Sequence, residues 1–305
     1  MRTQHLVGLE AAANLCGGHL EGGHINSTEI TFRPGPILKN HIDLSIATAG
    51  SVGLVLQVLQ IACLQAKGRQ ITVNINGGGT YGTGAPSTSF VQNVTYPAFA
   101  LMGYRINVEV LKQGFYPKGG AQAHATFDVP NILRGLRLED RGDLTRVGGV
   151  IIVHNSLRTP RVAERIAEQV KKGLAVTQSP VEIESQYTNA LSVGVGVDVW
   201  AEFSSGIRIG AGTILGERGV SSEKVGQTAA LELKNLFASG ATIDAHLSDQ
   251  ILPLMAACPE PCAVMAPTLT LHAKTNIDVL GMFNPNVKFS TESKGSVVRI
   301  SSKPA

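Results

Sequence analysis

An α+β fold is predicted, built of repeated helix-and-strand units with a smaller α/β domain inserted between them. Helix-length apolar patterns and short alternating patterns follow one another in the same order near both ends of the chain, which suggests a structural rather than a literal repeat. Between them, from about residue 140 to 240, strand, helix and strand patterns with polar outer faces read as a self-sufficient α/β unit. Glycine, at 34 of 305 residues, exceeds the usual ~7%, which suits a folded chain punctuated by tight turns.

The elements justify this in order. Leu6, Leu9, Ala12 and Ala13 recur at helical spacing over 4–16, and Gly17-Gly18 stops the run. Residues 29–33 alternate as a strand that Pro34-Gly35-Pro36 ends. Residues 51–66 are apolar nearly all round, a buried helix opened by Ala49, Gly50 and Ser51. A strand over 71–75 runs into Gly77-Gly78-Gly79-Thr80, a helix covers 89–102, and strands over 104–111 and 121–127 flank the turn Tyr116-Pro117-Lys118-Gly119-Gly120. In the middle segment, a strand at 149–153 precedes a charged amphipathic helix at 161–173, strands near 181–185 and 191–203, and a helix at 222–237. The last unit has a helix at 247–257, a strand at 263–265, a helix at 276–282 and strands at 287–290 and 296–300.

Composition narrows the function. Lys plus Arg number 26 against 23 Asp plus Glu, and a net charge of +3 is too small for wholesale nucleic-acid coating. Cys16, Cys63, Cys258 and Cys262 do not make a disulfide framework, and Cys258 and Cys262, separated by Pro-Glu-Pro, lack a second pair at zinc-ribbon spacing. No signal-peptide architecture or membrane-length apolar run appears, so an intracellular protein, nuclear or cytoplasmic, without a membrane partner is expected. The P-loop, Gly-x-Ser-x-Gly and His-Glu-x-x-His motifs are absent, and Gly210-Ala-Gly212 lacks the third glycine of a dinucleotide fingerprint.

Polar residues set against apolar helices are more informative. Gln57 lies within a strongly apolar helix, where a buried amide needs a partner, although a place on the helix's wetter edge would also satisfy it. Asp249 and Gln250 precede Ile251-Leu-Pro-Leu-Met255; alone, Asp249 reads as a helix-start residue. His272 stands where the alternating Thr268-Leu-Thr-Leu runs out into a helix start, with Thr275 as candidate cap. Free N–H groups at a helix N-terminus stabilise phosphate, and an imidazole beside them could attack a phosphoryl group. Position alone equally suits an ordinary histidine.

The segments Gln4-His-Leu-x-Gly-Leu-Glu10, Ser27-Thr-Glu-Ile-Thr-Phe32, Thr48-Ala-Gly-Ser51 through Gln57, Gly114-Phe-Tyr-Pro-Lys-Gly-Gly120, Gly216-Glu-Arg-Gly-Val220, Leu247-Ser-Asp-Gln250 and His272 with Thr275-Asn276 are collinear. Together they resemble RNA 3′-terminal phosphate cyclases over essentially the whole chain. The resemblance implies a large EPSP-synthase-like domain of repeated α+β units, residues 1–139 and 241–305, its first repeat incomplete. An inserted thioredoxin-like α/β domain would occupy 140–240.

The implied activity is ATP-dependent closure of an RNA 3′-terminal phosphate to a 2′,3′-cyclic phosphate, through histidine–AMP and RNA-adenylate intermediates. ATP is then a substrate, the RNA 3′ end the partner, and magnesium or manganese the expected divalent metal. His272 occupies the position of the nucleophile. Gln57, Asp249 and Gln250 would contact the adenosine half, with Pro86 near the base, Gln4 near the phosphates and His246 where the family often has a tyrosine beside adenine. Lys118, Arg33, Lys112 and Lys274 are candidates for positioning RNA phosphates. With few aromatics for stacking, recognition should centre on the terminal ribose and phosphate.

The chain departs from the family at its start. The family's first strand and its Glu-Gly-Gly-Gly-Gln segment, source of a metal-binding carboxylate, find no match, so no metal ligand is identified. An open sheet edge and apolar face, poor solubility or weak activity are expected on that account. Lesser departures are Ala121, for a third glycine, and Ser89, where acidic residues are frequent. The alternative reading is a catalytically inactive cyclase-like factor of RNA processing or ribosome assembly, or an inactive fragment.

Overall fold

A computed structural model describes residues 1–304. α1 (Thr3–Cys16) opens the chain, burying Ala11, Ala12 and Leu15, and ends where Gly17 takes φ 59°. β1 (His19–Glu21) and β2 (Thr31–Arg33) pair antiparallel as a small ribbon. β3 (His41–Ser51) and β4 (Gln70–Gly79) run parallel, joined through α2 (Val52–Ala62). The Ser51 hydroxyl caps α2, accepting the Leu54 N–H at 3.1 Å. A continuous helical run follows, α3 (Thr88–Phe90), one wide turn over Val91–Thr95 and α4 (Tyr96–Leu101), then the hairpin β5 (Arg105–Lys112) and β6 (Gln122–Asp128).

After β7 (Arg137–Leu138) the chain forms β8 (Leu144–His154), α5 (Val162–Leu174), β9 (Val181–Thr188), β10 (Val195–Phe203), β11 (Arg208–Leu215) and α6 (Ser222–Ala238). It closes with α7 (Ala245–Ala257), β12 (Cys262–Ala266), α8 (Leu271–Phe283), β13 (Val287–Lys294) and β14 (Val297–Pro304). The architecture is thus mixed α+β, with three four-stranded sheets and the ribbon among the described residues.

Two of those sheets share one plan. In the first, of order β3-β4-β6-β5, β3 is parallel to β4 and the other pairs are antiparallel; in the second, of order β7-β12-β14-β13, β7 is parallel to β12 and the rest antiparallel. α2 and α7 therefore occupy the same crossover position, and the third sheet, β11-β10-β8-β9, is interposed in the chain between β7 and α7. Gln57 and Gln250 are each the sixth residue of their helix, so one plan repeated brings both to corresponding places.

The core follows the patterning. Ile71, Val73 and Ile75 of β4 face Val55, Leu56 and Leu59 of α2, all at most 1% exposed; each such side chain contributes roughly 1.5–3 kcal/mol by leaving water. β3 and β11 were not anticipated, although Ile42, Leu44 and Ile46 alternate inward along β3 with polar neighbours outward. β3 is an edge strand, and α8 leaves Leu271, Met282 and Phe283 exposed.

One correction matters for function. α8 begins at Leu271, not near residue 276, and its cap is Thr270, whose hydroxyl accepts the Ala273 N–H at 2.9 Å, rather than Thr275. The alternating residues 268–271 do not continue as a strand, because β12 ends at Ala266 and Thr270 offers the amide ends a better partner.

Candidate functional site

A cleft of about 1430 Å³ opens between α2, α7 and the start of α8, and Gln57, Pro86, His246, Asp249, Gln250 and His272 all line it. These residues come from four chain-distant segments. The other candidates lie outside the lining. Gln4 rests against Gly50, just before α2. Arg33 is engaged with Glu21 across the β1–β2 ribbon. Lys112 ends β5, and the Lys118 backbone N–H donates to the Ser192 hydroxyl at 3.1 Å. Lys274 is exposed on α8, two residues past His272.

His272 is the second residue of α8, in the first turn, where helix N–H groups are free and the dipole favours an anion. Its Nδ1 lies 3.4 Å from Asp249 Oδ2, and its side chain is 84% exposed against 21% for Asp249. Asp249 is itself held: Thr270 Oγ1 donates to its Oδ1 at 2.5 Å, and Asn276 Nδ2 donates to its backbone carbonyl at 3.0 Å. The carboxylate therefore joins α7 to the cap of α8. The contact brings the Nδ1 edge of the ring toward the carboxylate of Asp249.

His246 is placed by a second carboxylate. Asp244, buried at the head of α7, accepts the N–H groups of His246 and Leu247 at 2.9 and 2.8 Å through Oδ1, and the Gly210 N–H at 3.1 Å through Oδ2. Burial pushes its carboxyl above the usual carboxylate range, while neighbouring His246 pulls it back. Opposite, the pairing of Asp198 with Thr213 and Trp200 with Gly210 leaves Ala211 and Gly212 as a bulge in β11. Gly212 takes φ 79°, and a Cβ there would stand 2.8 Å from His246 Nε2. Phe90 packs edge-on to the same ring, with centroids 5.8 Å apart.

The glutamines divide by burial, Gln57 taking the wetter edge of its helix. Gln57 is only half-buried on the cleft, so no internal partner is demanded of it. Gln60, one turn on, is 1% exposed, lines the cleft, and has an Oε1 without a hydrogen-bond partner, as does Gln250 at 7%. Gln60 was overlooked, although an amide in an apolar helix was the same signal that marked Gln57. Pro86 reaches the cleft because Gly53 in α2 lets the Pro86 carbonyl come close; a Cβ at Gly53 would lie 2.2 Å from that oxygen.

Among the described residues no group of three or more His, Cys, Asp or Glu is gathered to hold a metal ion, so the side chains present do not form a cage for the expected divalent cation. Nor is any described helix long and apolar enough to cross a membrane.

The site can thus offer an exposed imidazole at a helix N-terminus beside a partly apolar cleft with unpaired amide carbonyls. The comparisons fall in line with that chemistry. A family model for RNA 3′-terminal phosphate cyclase matches residues 1–290. A relative from Methanothermobacter thermautotrophicus bearing that name is 37% identical over 275 residues, covering 90% of this chain and 79% of the relative. One from Methanosarcina barkeri is 35% identical over 301 residues, 99% and 86% of the two chains. One from Pyrococcus abyssi is 34% identical over 283 residues, 93% and 80%. A match running through both repeated sheets, the interposed one and the His272 helix makes this chain a member of the RNA 3′-terminal phosphate cyclase family.

Proposed function

We propose that the chain cyclises RNA 3′-terminal phosphates at the expense of ATP, with His272 as the covalent carrier of AMP. Nε2 attacks the α-phosphorus, a P–N bond forms, and the bond to the β-phosphate oxygen breaks as pyrophosphate leaves. An oxygen of the RNA 3′-phosphate then attacks the same phosphorus, the P–N bond breaks, and His272 is regenerated. The RNA 2′-hydroxyl finally attacks the 3′-phosphorus, loses its proton, and expels AMP to close the 2′,3′-cyclic phosphate. A phosphoramidate suits this relay because its P–N bond is labile enough to pass the adenylate onward.

The observation that carries the reading is the exposed His272 ring, with Nδ1 3.4 Å from Asp249 Oδ2, at a helix start on the rim of a cleft. In this reading Gln57, Pro86, His246, Asp249 and Gln250 receive the adenosine half. Among the basic candidates Lys274 is best placed to meet phosphate near His272, whereas Arg33 is already committed to Glu21. Residues 140–240 would form the inserted domain.

The test is incubation with α-labelled ATP and magnesium or manganese. Wild-type protein should acquire an acid-labile label that His272→Asn lacks. No label on the wild type, or a label that survives the substitution, would refute the proposal.

A further inference from the structure

Asp198 plays no part in the steps above and does not reach the cleft, yet its surroundings are built around it. It is fully buried on β10, and its neighbours are hydroxyls rather than cations. Ser87 Oγ donates to Oδ2 at 2.8 Å, Thr213 Oγ1 donates to Oδ1 at 2.6 Å, and Ser89 and Tyr81 also face it. Ser87 further caps α3 by accepting the Phe90 N–H at 2.8 Å, and its own N–H reaches Thr213 Oγ1 at 3.3 Å. Ser87 directly follows the loop 82–86, one wall of the cleft; Thr213 directly follows the bulge at Ala211 and Gly212, the facing wall. A single carboxylate thus ties together the two walls on either side of Pro86 and His246.

We propose that Asp198 is a positioning residue that clamps the 82–86 loop to the bulged strand β11 and so sets the spacing of the cleft walls where the nucleotide base would sit. The role rests on the nucleotide reading of the cleft given above. An ionised carboxylate accepts from both hydroxyls through charge-assisted bonds; a carboxylic acid or an amide presents a donor in place of one acceptor, so one hydroxyl must give up its donation and the tie is weakened. Ser87 Oγ already accepts the Phe90 N–H, so it can meet a donor at Asp198 only through its remaining lone pair, with its own O–H left to find another acceptor.

The clamp should therefore loosen on protonation. Burial pushes the Asp198 carboxyl up to about 6. The groups facing it are Thr213 from β11, Ser87 and Ser89 from the start of α3, Val150 paired across β8, and the Tyr81 phenol, which burial holds well above its ordinary range. None of these changes charge near pH 6. Asp244, which burial also raises, and His246 stand on the far side of β11 but are common to wild type and an Asp198 variant, so it is the difference between the two proteins that belongs to Asp198.

Two measurements on the full chain test this, with wild type and Asp198→Asn compared from about pH 5 to 8. Hydrogen exchange, corrected for intrinsic rates, should be faster over 82–90 in the variant at pH 7.5, with β4 and β8 unchanged. The wild type should approach the variant below about pH 6. Equilibrium binding of ATP should weaken about tenfold in the variant at pH 7.5, the size expected for losing one charge-assisted hydrogen bond, and the ratio should narrow toward unity in acid. Unchanged exchange over 82–90 overturns the clamp. Faster exchange with equal ATP affinity, or an affinity ratio independent of pH, overturns its positioning role. A wild type that neither binds ATP nor takes label sinks the nucleotide reading instead, while the exchange data still decide the clamp. If Asp198→Asn fails to fold, Thr213→Val, which leaves the carboxylate one hydroxyl short, takes its place, and unchanged exchange over 82–90 overturns the inference.

Discussion

Replacing Asp198 with asparagine should change how the stability of the protein depends on pH, by an amount that follows from burial. The carboxyl rises from an ordinary 3.8 to about 6 in the folded chain, with desolvation as the leading cause. At ~1.4 kcal/mol per tenfold change in proton affinity, that amounts to about 3 kcal/mol. The sign is fixed by linkage. Below the ordinary value the group is protonated in folded and unfolded chains alike and costs nothing. As pH rises toward 6 the unfolded chain ionises it freely while the folded chain must hold the charge away from water, so stability falls and stays lower at neutral pH. Asparagine removes this dependence. The stability of Asp198→Asn minus that of wild type should therefore increase by about 3 kcal/mol from about pH 3 to 8, with roughly half of the increase above pH 5. A local reporter stands at hand, because the single tryptophan, Trp200, is buried on the same strand two residues away. Urea unfolding followed by its fluorescence at a series of pH values gives the difference directly. A difference that stays constant within about 0.5 kcal/mol would show that the carboxylate is not held in a desolvated place, and the argument would fail.

Two further outcomes follow from the site. Asp249→Asn keeps an acceptor for the Thr270 hydroxyl but removes the negative charge 3.4 Å from His272 Nδ1, so single-turnover labelling by ATP should slow by roughly 10- to 100-fold, as for loss of an orienting charge on a catalytic base. Gly212→Ala forces a side chain into φ 79° and a Cβ to 2.8 Å from His246 Nε2; it should destabilise the fold by about 1–2 kcal/mol, read by Trp200 fluorescence, and weaken ATP binding.

Much of this was legible in the chain, and what was not has identifiable causes. The apolar periodicities of α1, α2, α5 and α7 emerge within a few residues of their observed bounds, because burial on one face imposes the pattern. β3 was overlooked despite alternating Ile42, Leu44 and Ile46, since its polar positions are His41, Asp43 and Ser45, which resemble loop residues. The start of α8 was misplaced because Thr270 and Thr275 are equally good caps in isolation. Tertiary structure selects Thr270, whose hydroxyl also donates to Asp249 of a different helix. Asp198 was invisible for a similar reason: nothing near it in sequence announces that Ser87, 111 residues earlier, needs an acceptor. Ser89, noted only as a departure from an acidic position, faces this carboxylate, so the charge is supplied from another strand.

If His272 is the nucleophile proposed above, the three carboxylates account for how an exposed ring can be aimed. Under the proposed reaction His272 must meet two phosphates in turn, first of ATP and then of RNA, so its ring cannot be enclosed; direction must come from below. Asp249 aims the ring and fixes the cap of α8, Asp244 fixes the head of α7 to β11, and Asp198 fixes β11 to the 82–86 loop. Burial raises both Asp244 and Asp198, so each costs stability when ionised. Residues kept only for stability would more economically be apolar or neutral at those places. Substitutions that neutralise Asp198 should consequently separate the two properties, raising resistance to urea at neutral pH while loosening the cleft, whereas a cavity-forming change elsewhere in the core would lower both together.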